Sequence, residues 1–182
     1  ASLTLVAPFA FFGAAAIAAP PEGNEIAVYV GTYTGPKSKG IYLSRLDLAS
    51  GKLSAPTLAA ETEQPSFLAL HPNRQFLYAV NETGEGRRGT GQVTGFAVGA
   101  DGKLTQLNQQ PSRGSAPCHL VVDRAGKTLL LANYGGGSVA AFPIGPDGRL
   151  GESSAFVQHS GSSTNPQRQK APHAHSINLD AA

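Results

Sequence analysis

His173 and His175 stand one residue apart in PHAHSINLD, residues 172–180 of a 182-residue chain. Imidazole changes charge near neutral pH, so a histidine can both take and give a proton during a reaction. The segment reads as a strand, and in a strand residues two apart face the same way, roughly 7 Å apart along the chain. The pair is therefore expected to form one polar wall. His119, in APCHLVVD, is a further histidine in an apolar strand. Counting back from Asp123 and Asp180 registers it with Ser176, one residue from His175. The two histidines share a face only if a bulge intervenes. Two histidines on one face can also chelate a metal, but such a site needs a third ligand. His71 and Asp180 read as turn residues at strand ends, so no metal is expected.

Other polar groups cluster near these. Arg168 and Gln169 precede the histidine pair in SSTNPQRQKAP, and Arg87 and Arg88 lie in GEGRRGTG. A guanidinium can grip a carboxylate or phosphate with two parallel hydrogen bonds. The glycine-rich loop carries no G-K-[ST], so it is no phosphate-cradling P-loop and reads as a surface loop. Cys118 is the single cysteine, which excludes an internal disulfide. A cysteine nucleophile needs a nearby base and partial exposure. In an apolar strand it reads as a small buried residue.

The elements that must position these groups repeat. GIYLSRLDLASGKL (40–53), GQVTGFAVGADGKL (91–104) and GSVAAFPIGPDGRL (137–150) align without gaps. Each alternates apolar and polar residues, as half-buried strands do. Each ends in a hairpin turn where glycine supplies positive φ. PSFLALHPNRQFLYAVNE (65–82) aligns with PCHLVVDRAGKTLLLANY (117–134), while AVYVGTY (27–33) matches the tail of this pair and PHAHSINLD its head. The unit is four antiparallel strands with a period of about fifty residues, which is a β-propeller blade. The expected fold class is all-β. Blade parts are expected at 27–63, 65–110 and 117–160, with the first strand of the next at 172–182. A blade cannot bury both faces alone, and closed propellers have roughly four to eight blades. The chain is thus expected to be the front part of a longer propeller, whose remaining blades are its obligatory partners. In this frame Asn81, Asn133 and Tyr134 end second strands at equivalent positions on one rim, and Glu82 occupies the position of Tyr134. The three are expected to hydrogen-bond a substrate, and Glu82 is a candidate base.

Composition narrows the function. Net charge is +2 with 14% charged residues and no basic run, which is no nucleic-acid footprint. Gly 22 and Pro 13 fit a turn-rich β chain. The stretch from Leu3 to Ala19 is apolar and uncharged, with Ala16-Ile17-Ala18 as an A-x-A cleavage site before polar PPEGNE. Residues 1–19 therefore read as a signal peptide truncated at the front, 20–25 as a linker and 26–182 as the partial propeller. A periplasmic or secreted location follows. Seventeen residues interrupted by Pro8 are short for a membrane span, so none is expected in the mature chain.

VYVGTYTG, GIYLSRLDLASGKL, PSFLALHPNRQFLYAVNE, LLLANYGGGSVAAFPI and NPQRQKAPHAHSINLD together resemble the lactonase family of seven-bladed propellers. Propeller-type 6-phosphogluconolactonases and carboxymuconate cyclases belong to that family. The resemblance covers residues 26–182. It implies hydrolysis of a sugar-acid lactone to the free acid without a metal or other cofactor, and a protein roughly twice this length. Ring opening needs a base for water, a holder for the oxyanion and an acid for the leaving oxygen. His175 is the expected base or acid, oriented by His173 or His119, with His119, Arg168 and Gln169 contacting substrate. An exported protein would meet unphosphorylated lactones more readily than a cytosolic sugar phosphate, although many relatives are cytoplasmic. Two other readings remain: a non-catalytic extracytoplasmic binding platform, and a muconate-type lactone cyclase. Polar crowding on the inner strands by His119, His173 and His175 favours a small-molecule site over a platform.

Overall fold

A computed structural model describes residues 23–84, 86 and 89–180. The apolar segment from Leu3 to Ala19, and Arg87 and Arg88, lie outside the described residues. Eleven strands form three antiparallel sheets among them. The first sheet contains β1 (Glu25–Val30), β2 (Gly40–Asp47) and β3 (Thr57–Glu61). The second contains β4 (Leu68–Leu70), β5 (Phe76–Asn81), β6 (Gln92–Val98) and β7 (Leu104–Pro111). The third contains β8 (Pro117–Val122), β9 (Thr128–Asn133), β10 (Ser138–Pro143) and β11 (Ala155–Gln158). In each sheet neighbours in sequence are neighbours in space, the meander of a propeller blade.

The sheets pack face to face, and this explains a departure from simple alternation. In β5, Leu77 and Ala79 join a core with Ile41, Ala59 and Phe96, between the first and second sheets. Tyr78 and Val80 point the other way, into a core with Leu120, Leu131 and Phe142 between the second and third. Successive strand side chains take opposite faces, and here both faces are dry. A continuous apolar run results, as in any strand covered on both sides.

The hairpins in the repeated segments turn at Gly51, Gly102 and Gly148, with φ of 69°, 84° and 79°, a conformation that favours glycine. Two of these turns also lock adjacent blades. Tyr29 Oη donates to the Gly102 carbonyl at 2.8 Å, and Tyr78 Oη donates to that of Gly148 at 2.9 Å. Tyr29 and Tyr78 are the same repeat position, so one device is used twice.

Residues 172–180 differ from the expectation in one respect. They are not paired as a strand. First strands take their ladder partner from the second strand of their own blade, as β4 does from β5 and β8 from β9; among the described residues no such strand lies beside residues 172–180. The segment still packs on the third sheet. A Cβ at Gly137, where φ is +65°, would collide with the Pro172 carbonyl oxygen.

Candidate active site

The repeat places two sets of equivalent residues around one hollow. Aligned through Thr32, Asn81 and Asn133, the residues following the second strands are Tyr33, Glu82 and Tyr134. At the start of the first strands stand Ser66 and Cys118, and the register that pairs Asp123 with Asp180 adds His175. These six residues line a pocket of about 210 Å³. Three successive blades thus each contribute one residue from a second-strand end.

Glu82 is the centre of its hydrogen bonding. Tyr33 Oη donates to Glu82 Oε2 at 2.8 Å, and Ser66 Oγ donates to the same oxygen. Two O–H donors on one oxygen fix the carboxylate plane. Among the described residues Oε1 has no hydrogen-bond partner. The bond to Glu82 also raises the Tyr33 phenol above its ordinary value, with burial adding to it. Tyr134 forms the opposite wall. The His173 ring stacks on it at 4.5 Å between centroids, and His175 meets it edge-on at 5.4 Å. His173 Nδ1 lies 2.9 Å from the Tyr134 carbonyl oxygen. A carbonyl can only accept, so Nδ1 donates and Nε2 is the nitrogen left for other contacts.

The histidine pair is therefore split rather than presented as one wall. His175 lines the pocket with Glu82, whereas His173 lines a neighbouring cleft with Arg168 and Gln169. The Tyr134 ring contacts both histidines. The bulge needed to align His119 exists: the β8–β9 register shifts between Pro117 and His119. Yet His119 turns away from the pocket. Its ring lies 4.3 Å from that of Phe67, and its Nδ1 accepts the Ile177 N–H at 3.3 Å. Burial, and secondarily His175, hold the His119 imidazole below its usual value.

Asn81 and Asn133 lie away from the pocket lining. Both are buried, and neither side chain reaches the pocket. Asn81 Nδ2 donates to Thr62 Oγ1 and the Glu63 carbonyl, while its Oδ1 accepts from Thr94 and Gln109. Asn133 Nδ2 donates to the Ser112 carbonyl at 3.0 Å and to Ser138 Oγ at 3.1 Å. These asparagines tie second strands to neighbouring connections. The Asn81 amide is fully engaged with protein, whereas the buried Asn133 Oδ1 has no hydrogen-bond partner among the described residues.

Cys118 is half-buried rather than fully enclosed, and it lines the pocket. Burial first and Glu82 second push its thiol above the ordinary value, so the thiolate a nucleophile needs is disfavoured. Tyr33 and Ser66 were not singled out by sequence reasoning. Their signal was present, since AVYVGTY aligns with the segment ending in Glu82 and PSFLAL with PCHLVV. Among the described residues no group of three His, Cys, Asp or Glu is arranged to hold a metal.

Residues 27–182 match the family described as "Lactonase, 7-bladed beta-propeller". The chain belongs to this family. A 6-phosphogluconolactonase of Bacillus subtilis is 38% identical over 81% of this chain and 41% of its own length. One from Formosa agariphila is 29% identical over 84% of this chain and 43% of its own. The solved periplasmic gluconolactonase of Pseudomonas aeruginosa superposes with a TM-score of 0.75 at 33% identity, covering 85% of this chain and 44% of that one. The chain thus spans less than half the length of these lactonase relatives. Its three sheets are part of the family's ring, and the pocket lies where their second-strand ends converge.

Proposed function

We propose that the protein is a carboxylic-ester hydrolase that opens a sugar-acid lactone, of the 6-phosphogluconolactone or unphosphorylated gluconolactone kind, to the free acid. The observation that carries this reading is the juxtaposition of Glu82 and His175 across one small pocket walled by Tyr33 and Tyr134. Relatives named as 6-phosphogluconolactonase and as periplasmic gluconolactonase support it.

The chemistry assigns roles. Water attacks the lactone carbonyl and gives up a proton to a base, forming a tetrahedral oxyanion. The ring C–O bond then breaks, and the departing ring oxygen takes a proton to become the sugar hydroxyl. Glu82, oriented by the Tyr33 and Ser66 hydroxyls, serves as the base. His175 serves as the proton donor to the leaving oxygen, and its edge contact with Tyr134 positions it. The phenol of Tyr134 contacts the sugar. Blades beyond residue 182 complete the ring and the rest of the site. Export is part of the same proposal: it rests on the signal-like residues 1–19 and on the periplasmic relative. Among the described residues no helix is long and apolar enough to cross a membrane.

The test is acid release from glucono-δ-lactone and 6-phosphogluconolactone by the full-length protein. Hydrolysis above the spontaneous rate is expected, with kcat falling roughly 10²–10⁴-fold in Glu82→Gln and in His175→Ala. No rate above background on either lactone would leave the pocket as the site of a non-catalytic binding platform.

A further inference from the structure

The cleft lined by His173 and Arg168 has its own chemistry. It holds about 430 Å³ and is lined by Ser160, Ser162, Ser163, Arg168, Gln169 and His173, with no aspartate or glutamate in its wall. The loop that builds it is tied to itself. Ser163 N–H donates to the Gln169 carbonyl at 2.9 Å, and Gln169 N–H donates to that of Asn165 at 2.8 Å. The Asn165 side chain accepts the Gln167 and Arg168 backbone N–H groups at 3.0 and 3.1 Å, and Gln169 Oε1 accepts the Asn165 N–H at 2.9 Å. These bonds engage backbone and two amide oxygens, Asn165 Oδ1 and Gln169 Oε1. Among the described residues the Arg168 guanidinium has no ion-pair partner. The His173 nitrogen not engaged by Tyr134 is Nε2.

We propose that this cleft takes an oxyanion, a phosphate or a carboxylate, carried by the substrate at the end remote from its lactone carbonyl. The inference rests on the lactonase reading of the neighbouring pocket. A guanidinium in one cleft with three serine hydroxyls offers the forked donors that a multi-oxygen anion accepts, and among the described residues no carboxylate lines the wall. The Tyr134 ring lines the pocket, the His173 ring lines the cleft, and the two stack 4.5 Å apart. The charged end is thus placed beside His173 and the reacting carbonyl beside Tyr134. Arg168 becomes a specificity-determining residue, distinct from the groups that move protons.

The experiment compares three lactones with the full-length protein: glucono-δ-lactone, 6-phosphogluconolactone and glucarolactone, with hydroxyl, phosphate and carboxylate at the sixth carbon. At least one anionic lactone is expected to exceed the neutral one tenfold or more in kcat/KM, and which one identifies the anion. Arg168→Ala should reduce that ratio at least tenfold, chiefly through KM. Lys103→Ala, the same charge loss in a distant hairpin, should leave the ratio in place. A ratio identical in Arg168→Ala and wild type, or a preference for the neutral lactone, overturns the proposal. If no lactone is hydrolysed, the lactonase reading fails and the cleft is judged separately by calorimetry with inorganic phosphate. Saturable binding abolished by Arg168→Ala then supports an oxyanion site, and absence of binding overturns it.

Discussion

At the scale of single residues, two side chains near the pocket have environments that set their chemistry. Burial and the nearby Glu82 carboxylate raise the Cys118 thiol above its ordinary 9.0. Alkylation of the folded protein by iodoacetamide at about pH 7 should be slower than that of a free thiol, and should rise only above about pH 9. Fast modification at neutral pH, followed by mass spectrometry, would contradict that environment. His119 titrates in the opposite sense. Burial first, then His175, place its pKa below the usual 6.5. Below 6.5 the unfolded chain binds more protons at this position than the folded one, so stability falls as pH drops from there through the lower folded value. Protonation of Nδ1 also removes the acceptor of the Ile177 N–H. His119→Gln should therefore narrow the difference between denaturation midpoints measured at about pH 7.5 and about pH 5. Such differences were only partly legible in the sequence. Glu82 and His175 could be proposed from repeat position and residue type, because their backbone placement decides their role. Asn81 and Asn133 could not be distinguished from ligand contacts, because the partners that engage them come from residues far along the chain, such as Thr62 and Ser112.

At the scale of elements, the repeat period carried the fold. Strand alternation and the three Gly-Lys-Leu or Gly-Arg-Leu turns are local features, and each blade is built from neighbours in sequence. What joins blades is not local. The tyrosine in β5 is fully buried and reaches seventy residues along the chain to the Gly148 carbonyl. Burial, with Asp147 second, raises its phenol, so the hydroxyl stays a donor across the physiological range. Tyr78→Phe keeps the ring and its packing but leaves that buried carbonyl unpaired. The cost should be roughly 1–3 kcal/mol in equilibrium denaturation. The equivalent Tyr29→Phe removes a bond in a half-buried setting and should cost less. Equal and negligible effects would show that turns and cores alone hold the blades together. The third blade has Leu130 at this position, so the device ends there, and sequence inspection alone gave no reason to expect a blade clamp in the other two.

At the scale of the whole molecule, the arrangement of cores determines which surfaces need cover. One core lies between the first and second sheets and the other between the second and third. The second sheet is therefore dry on both faces, while the first and third sheets each have one face without a neighbouring sheet among the described residues. Apolar side chains remain there. Ile26 and Val30 in β1 are 41% and 46% exposed, and Val157 in β11 is 54% exposed. Phe156, on the opposite face of the same strand, is partly covered by Arg113, whose guanidinium carbon lies 5.2 Å from the ring centroid. Exposed apolar faces and unpaired strand edges promote association. The 182-residue chain alone should therefore self-associate, with a mass in light scattering that rises with concentration. Charged substitutions on the uncovered face, such as Val30→Lys together with Leu58→Lys, should reduce that association without disturbing the cores, because both residues lie outside them. A monomer at all concentrations would mean that these faces are not the sticky surfaces their composition implies. The pocket connects to the same geometry: Tyr33 and His175 occupy the two ends of the arc of blades that lines it, so any partner that fixes the spacing of the outer sheets also fixes the distance across which Glu82 and His175 must cooperate.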